Sequence, residues 1–160
     1  MKTAVIFYSL DGNTAKIAET IKAAINADVY EIKTTDTKKR KGFFKIIWGV
    51  GQVMMHKKPV LLPLSVDISA YDLIILGTPV WAGSPAPALT TFVGGTKIRG
   101  RKLALFCCHG GGMGKVFEKL KEYLFGNTVS GEIDFKDALK ENPADLKQKV
   151  SGWLRIIGAL

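Results

Sequence analysis

Seven residues near the start of the chain, Tyr8-Ser9-Leu10-Asp11-Gly12-Asn13-Thr14, have the types and spacing from which a phosphate cradle is built. Ser9 and Thr14 can donate hydroxyl hydrogen bonds, and Gly12 lets a ligand come close to the backbone. A helix opening at this point would add backbone N–H groups and the positive end of its dipole. Asp-Gly-Asn is also ordinary turn chemistry, so taken alone the loop can also be read as a strand-to-helix turn with a cap. Two further stretches change the balance. Gly77-Thr78-Pro79-Val80-Trp81-Ala82-Gly83-Ser84-Pro85-Ala86-Pro87-Ala88-Leu89 sets one large flat aromatic, Trp81, among prolines and glycines. Cys108-His109-Gly110-Gly111-Gly112-Met113-Gly114 offers bare backbone on which a planar ring can lie and bond to N–H and C=O groups. A phosphate site beside an aromatic platform describes a phosphorylated, ring-bearing cofactor.

These stretches need elements that bring them together. Residues 3–7, 73–76 and 103–108 are apolar without alternation, which suits strands covered on both faces of a parallel sheet. Residues 29–33 are mixed and 129–135 alternate, which suits half-covered edge strands. Helical patterns fall at 14–26, 86–93 and 113–124, and a last one follows Pro143. The alternation predicts an α/β fold: a doubly wound three-layer sandwich around a five-stranded parallel sheet. Right-handed crossovers favour the strand order 2-1-3-4-5, with its topological switch between strands 1 and 3. All three stretches leave the carboxyl ends of strands, so they converge on one mouth.

The chain has 160 residues, 47% of them apolar and 23% charged, enough for one domain with a core. No apolar run approaches the ~18 residues of a membrane span. Lys2 leads straight into a strand, without the pattern of a signal peptide. Cys107 and Cys108 are adjacent inside an apolar run, which reads as two small buried residues in a reducing, cytoplasmic setting. His56 and His109 lie far apart with no cysteine or carboxylate cluster, so no metal site is expected. Net charge is +9, and +7 of it falls between positions 33 and 58, on Lys33, Lys38, Lys39, Arg40, Lys41, Lys45, Lys57 and Lys58 against Asp36. The apolar segment inside that run, 42–56, has three compatible readings. It is a helix packed on the sheet, a lid using Trp48, Met54 or Met55, or a patch for a partner subunit, a redox partner or an anionic membrane surface. No nucleic-acid reading motif accompanies the charge.

With its three loops in order after the right strands, the chain resembles the flavodoxin-like FMN proteins, of the short-chain kind. The resemblance covers nearly the whole sequence. It implies non-covalent FMN, with Ser9, Leu10, Asp11, Gly12, Asn13 and Thr14 around the phosphate. Thr78, Pro79, Val80, Trp81, Ala82 and Gly83 would line the flavin, with Cys108, His109, Gly110, Gly111 and Gly112 on its other side. It implies an electron carrier whose flavin does the chemistry, and a backbone carbonyl near flavin N5, sought at Ala82 or Gly83. The basic run predicts less negative potentials and a redox partner with an acidic face. Two departures stand out. Asp11 occupies a position where many flavodoxins have Thr or Ser, and its carboxylate is expected to turn away from the phosphate or cap the helix. The third loop also lacks the usual stacking tyrosine. That second departure, with the basic run, supports the alternative of an FMN-dependent NAD(P)H:acceptor oxidoreductase of the quinone type. His109 is expected to stack, to bond to the flavin's pyrimidine end, or only to shape its loop.

Overall fold

Alternate side chains along each central strand pack against different helix layers, and this builds two cores on one sheet. A computed structural model describes residues 1–35, 51 and 58–160. Lys38, Lys39, Arg40, Lys41, Lys45 and Lys57 of the basic run, and the 42–56 segment with Trp48, Met54, Met55 and His56, lie outside the described residues apart from Gly51.

The described chain runs β1 (Thr3–Tyr8), α1 (Asn13–Ile25), β2 (Asp28–Ile32), β3 (Leu73–Trp81), β4 (Ser84–Pro85), α2 (Pro87–Thr96), β5 (Lys102–His109), α3 (Val116–Tyr123), β6 (Thr128–Lys136) and α4 (Pro143–Ile156). The main sheet is parallel in the order β2-β1-β3-β5-β6. With β4 set aside as a two-residue addition, this is the 2-1-3-4-5 order expected from the sequence. Val5 is opposite both Val29 and Ile75, and Ile75 is opposite Ala104.

On one face Ile6, Leu76, Leu105 and Cys107 pack with Leu89, Phe92 and Val93 of α2 and Val116 and Leu120 of α3. On the other, Val5, Ile75, Phe106 and Cys108 pack with Ile17 and Ile21 of α1 and Leu146, Val150 and Leu154 of α4. Each fully buried Leu or Ile of this kind stabilises the fold by about 1.5–3 kcal/mol through surface removed from water. The pleat also sends the neighbouring thiols of Cys107 and Cys108 to opposite faces, and both cysteines are free.

Local chemistry sets the helix boundaries. Asn142 caps α4 by accepting the Ala144 N–H at 2.8 Å, with Pro143 in the first turn. Asn26 and Lys97 end α1 and α2 in left-handed backbone.

The largest difference from the sequence reading lies at 77–81, expected as loop but found as the last part of β3. Pro79 is tolerated there because the strand is ending and its tail pairs with β5, Pro79 opposite Cys108. The chain turns at Ala82 and Gly83 and pairs back antiparallel, Trp81 opposite Ser84 and Val80 opposite Pro85. Among the described residues no helix is long and apolar enough to cross a membrane.

Candidate functional site

The first loop joins β1 to α1 across the sheet's carboxyl edge. Gly12 takes φ +96°, a region open to glycine, and begins the helix. The first turn of α1 holds no acidic side chain of its own, so the positive end of the helix dipole is offset only by Asp11 just before it. Ser9 Oγ accepts from Gly12 N at 3.1 Å and from Ala15 N at 3.3 Å. Its own O–H is thereby directed away from those donors, free to bond to an anion. Asp11 is exposed, and its Oδ1 accepts the Asn13 N–H at 3.3 Å, so the carboxylate caps the helix start. Thr14 is completely buried, and its hydroxyl has no hydrogen-bond partner of normal geometry. A buried unpaired hydroxyl costs about 1–3 kcal/mol. Leu10 is half-buried and packs against the core on the α2–α3 side of the sheet.

The second stretch is a hairpin whose neck is braced by Thr78. Thr78 Oγ1 donates to Pro79 O and accepts from Ala86 N, both at 2.9 Å. That hydroxyl is engaged inside the hairpin and buried. Pro79 is buried, Val80 and Trp81 are half-buried, and Ala82 is exposed at the tip. Trp81 stands edge-on to Tyr8, with ring centres 5.8 Å apart and planes at 85°. Tyr8 thus holds the indole from the end of β1, and the pair links the first two loops. Ala82 and Gly83 both have positive φ, 48° and 67°. That is the backbone of a tight two-residue hairpin turn.

The third stretch begins at His109. Its Nε2 lies 2.9 Å from Asp134 Oδ2 on β6. The imidazole is only 9% exposed, and its Nδ1 is buried with no partner. With the carboxylate accepting at Nε2, a neutral ring leaves Nδ1 as an acceptor in want of a donor. Gly110, Gly111 and Gly112 are exposed, and no atom would meet a Cβ on Gly111 or Gly112 within 4 Å. Here the loop is open backbone, as the sequence implied. Met113, 43% exposed, is the large apolar side chain of this loop.

Cys108 ends the floor of the site. It is 3% exposed, and burial pushes its thiol up to about 12. The neighbouring Thr14 hydroxyl pulls the other way, and Asp11 adds to the rise. Burial likewise raises Cys107 far above the ordinary thiol range. Both are therefore neutral thiols at physiological pH and poor nucleophiles.

Sequence reasoning missed a fourth loop, the one after β6. Asp137 N donates to His109 O at 2.9 Å, and Leu139 N donates to Asn13 Oδ1, also at 2.9 Å. The Leu139 side chain lies 3.7 Å from where a Cβ on Gly12 would sit. This loop thus ties the first loop to the third. The signal was available: it leaves the carboxyl end of the next strand along, so the same topology brings it to the same mouth. Lys115 and Lys119, which donate to Gly83 O and Ser84 Oγ at the hairpin tip, were also missed, because contacts across thirty residues leave no local pattern.

A crevice at the switch point of an open parallel sheet, floored by β1, β3 and β5 and walled by these loops, defines a doubly wound ligand-binding protein. The chain belongs to the flavodoxin family, whose model matches residues 2–156. It is similar to a flavoprotein from Lactobacillus acidophilus NCFM solved in complex with FMN, at 28% identity and a TM-score of 0.73, covering 83% of this chain and 92% of that one. The two-electron reduced flavodoxin of Megasphaera elsdenii shares the fold at 22% identity, covering 94% and 98% of the two chains with a TM-score of 0.57. So does the rubredoxin oxygen:oxidoreductase of Desulfovibrio gigas, at 16% identity and a TM-score of 0.60, covering 99% of this chain and 36% of that one. No curated protein sequence matches the chain.

Proposed function

We propose that the protein binds one FMN non-covalently at this mouth and shuttles electrons between redox partners. The observation that carries the reading is the completely buried Thr14 hydroxyl, without a hydrogen-bond partner of normal geometry, in the first turn of α1. A phosphate supplies the acceptor that the Thr14 hydroxyl lacks and one for the Ser9 proton, at the positive end of the helix dipole. Ser9, Gly12, Asn13 and Thr14 would hold it, while Asp11 caps the helix on the exposed side. Pro79, Val80, Trp81, Ala82 and Gly83 would line the ring, and the backbone of 110–112 would face it from the third loop. His109 Nδ1 suits an N–H donor on such a ring. Family membership and the likeness to a flavoprotein solved with FMN support the same cofactor.

Bound FMN supplies one- and two-electron chemistry; this chain's residues bind it, orient it and set the charge around it. A net charge of +9 favours a partner with an acidic docking face, because complementary charge speeds encounter. The oxidoreductase alternative keeps one observation in its favour. The third loop presents Met113 and glycines in place of a stacking ring, which leaves room for a nicotinamide or quinone. Stopped-flow mixing of the FMN-loaded protein with NADPH or NADH separates the two. The carrier reading predicts no rapid bleaching at micromolar nucleotide, together with ready reduction by a second redox protein. Rapid bleaching by nucleotide would establish the enzyme.

A further inference from the structure

The tip of the hairpin is tied to α3 by a chain of hydrogen bonds that begins at Lys119. The Lys119 ammonium donates to Ser84 Oγ. An ammonium has donors only, so Ser84 Oγ must accept there, and its single proton is committed elsewhere. The Ala82 carbonyl oxygen, 3.5 Å away, takes that proton. The chain runs from Lys119 to Ser84 and, over a long 3.5 Å contact, on to Ala82 O. Ser84 is 5% exposed, so these bonds are shielded from bulk water.

Two features make this tie more than ordinary packing. Ala82 holds φ +48°, a region that side chains other than glycine seldom adopt, so the turn depends on its surroundings to stay in place. Lys119 is half-buried and, among the described residues, has no carboxylate partner; Lys121 on the same helix pairs with Glu132 at 2.8 Å. A second tie closes the structure, from Lys115 N to Gly83 O at 3.2 Å.

We propose that Lys119, acting through Ser84, is a positioning residue that fixes the Ala82 carbonyl at the mouth and sets an unneutralised positive charge behind the hairpin. The redox half of this proposal rests on the FMN reading above. A positive charge at that place favours the flavin state that carries more negative charge, the reduced one, over the oxidised. A merely structural support would affect both states alike.

The test compares Lys119→Met, Lys119→Arg and Ser84→Ala with the parent protein. Titration gives the affinity for oxidised FMN, and redox potentials of free and bound flavin then give the affinity for the reduced form. Lys119→Met is expected to weaken reduced FMN at least fivefold more than oxidised FMN, and Lys119→Arg to restore the parent ratio within twofold. Equal weakening of both states, or failure of Arg to restore the ratio, overturns the charge role. On the flavin-free full chain, amide hydrogen exchange at Lys115 should quicken at least tenfold in Lys119→Met and Ser84→Ala, with Ile75 in the sheet unchanged. Unaltered exchange at Lys115 overturns the positioning role. A parent protein that fails to bind FMN would refute the flavin reading and with it the charge role, while the exchange measurement still decides the positioning role on its own.

Discussion

A Cβ on Gly114 would lie 2.6 Å from the Cα of Gly83, so the hairpin after β3 and the loop after β5 touch backbone to backbone. Gly114 also holds φ +55°, and the next residue, Lys115, donates its N–H to Gly83 O at 3.2 Å. Two walls of the proposed flavin site are thereby fixed to each other. Gly114→Ala must separate them. We expect FMN affinity to fall at least tenfold, with a loss of stability of about 1–3 kcal/mol from strain and displaced backbone. Gly112→Ala is the control, since no atom would meet its Cβ within 4 Å. Fluorescence titration and urea denaturation of both variants check the expectation.

Ser9 accepts two backbone N–H groups and has its own proton to offer. Ser9→Ala removes all of these bonds at the phosphate end alone. FMN affinity should fall roughly tenfold, about 1.4 kcal/mol, while riboflavin affinity stays nearly unchanged. A parallel loss for both ligands would place Ser9 in the scaffold and not at the phosphate.

Thr14 should show a trade between stability and binding. Its buried hydroxyl has no hydrogen-bond partner of normal geometry, so Thr14→Val removes a desolvated group at nearly constant volume. The flavin-free protein should gain about 1 kcal/mol, and FMN affinity should drop. Paired denaturation and titration curves read both quantities on one sample.

The cysteines predict loss of stability in alkali. An unfolded thiol ionises near pH 8.5, whereas Cys108 in the fold is pushed up to about 12 by burial. Between these values the unfolded chain has lost a proton that the folded chain keeps. Stability is therefore full below about pH 8.5 and falls as pH rises toward 12, by about 1.4 kcal/mol per pH unit for one thiol. Cys107, raised by the same cause, adds a similar slope. Urea midpoints at pH 8 and pH 10 should differ clearly in the parent and much less in a Cys107→Ala, Cys108→Ala double variant. Iodoacetamide at pH 8 should label neither thiol until the protein is unfolded.

Much of this architecture is legible in the sequence. Unbroken apolar runs such as Leu73-Ile74-Ile75-Leu76 mark strands covered on both faces, and the handedness of crossovers does the rest. The convergence of Ser9, Trp81 and His109 loops followed from strand order alone. The hairpin did not, because Thr78-Pro79 resembles the start of a loop, and only pairing with Cys108 and Ser84 reveals a strand there. Nor did the bonds from Lys119 to Ser84 or from Leu139 N to Asn13, since they join residues 35 and 126 positions apart with no periodic trace. Asp11 was legible in kind: its carboxylate caps the helix start, as its exposed position and short side chain suit.

In the proposed complex a phosphate-bearing flavin occupies the mouth formed by Ser9, Trp81 and the 110–112 backbone. Titrating the flavin-free protein with FMN and, separately, with riboflavin tests it most directly, with flavin fluorescence as the readout. We expect saturable quenching at one FMN per chain, and riboflavin binding at least tenfold weaker because the α1 N-terminus has no phosphate to hold. Equal affinity for the two flavins, or no quenching by either, would contradict it.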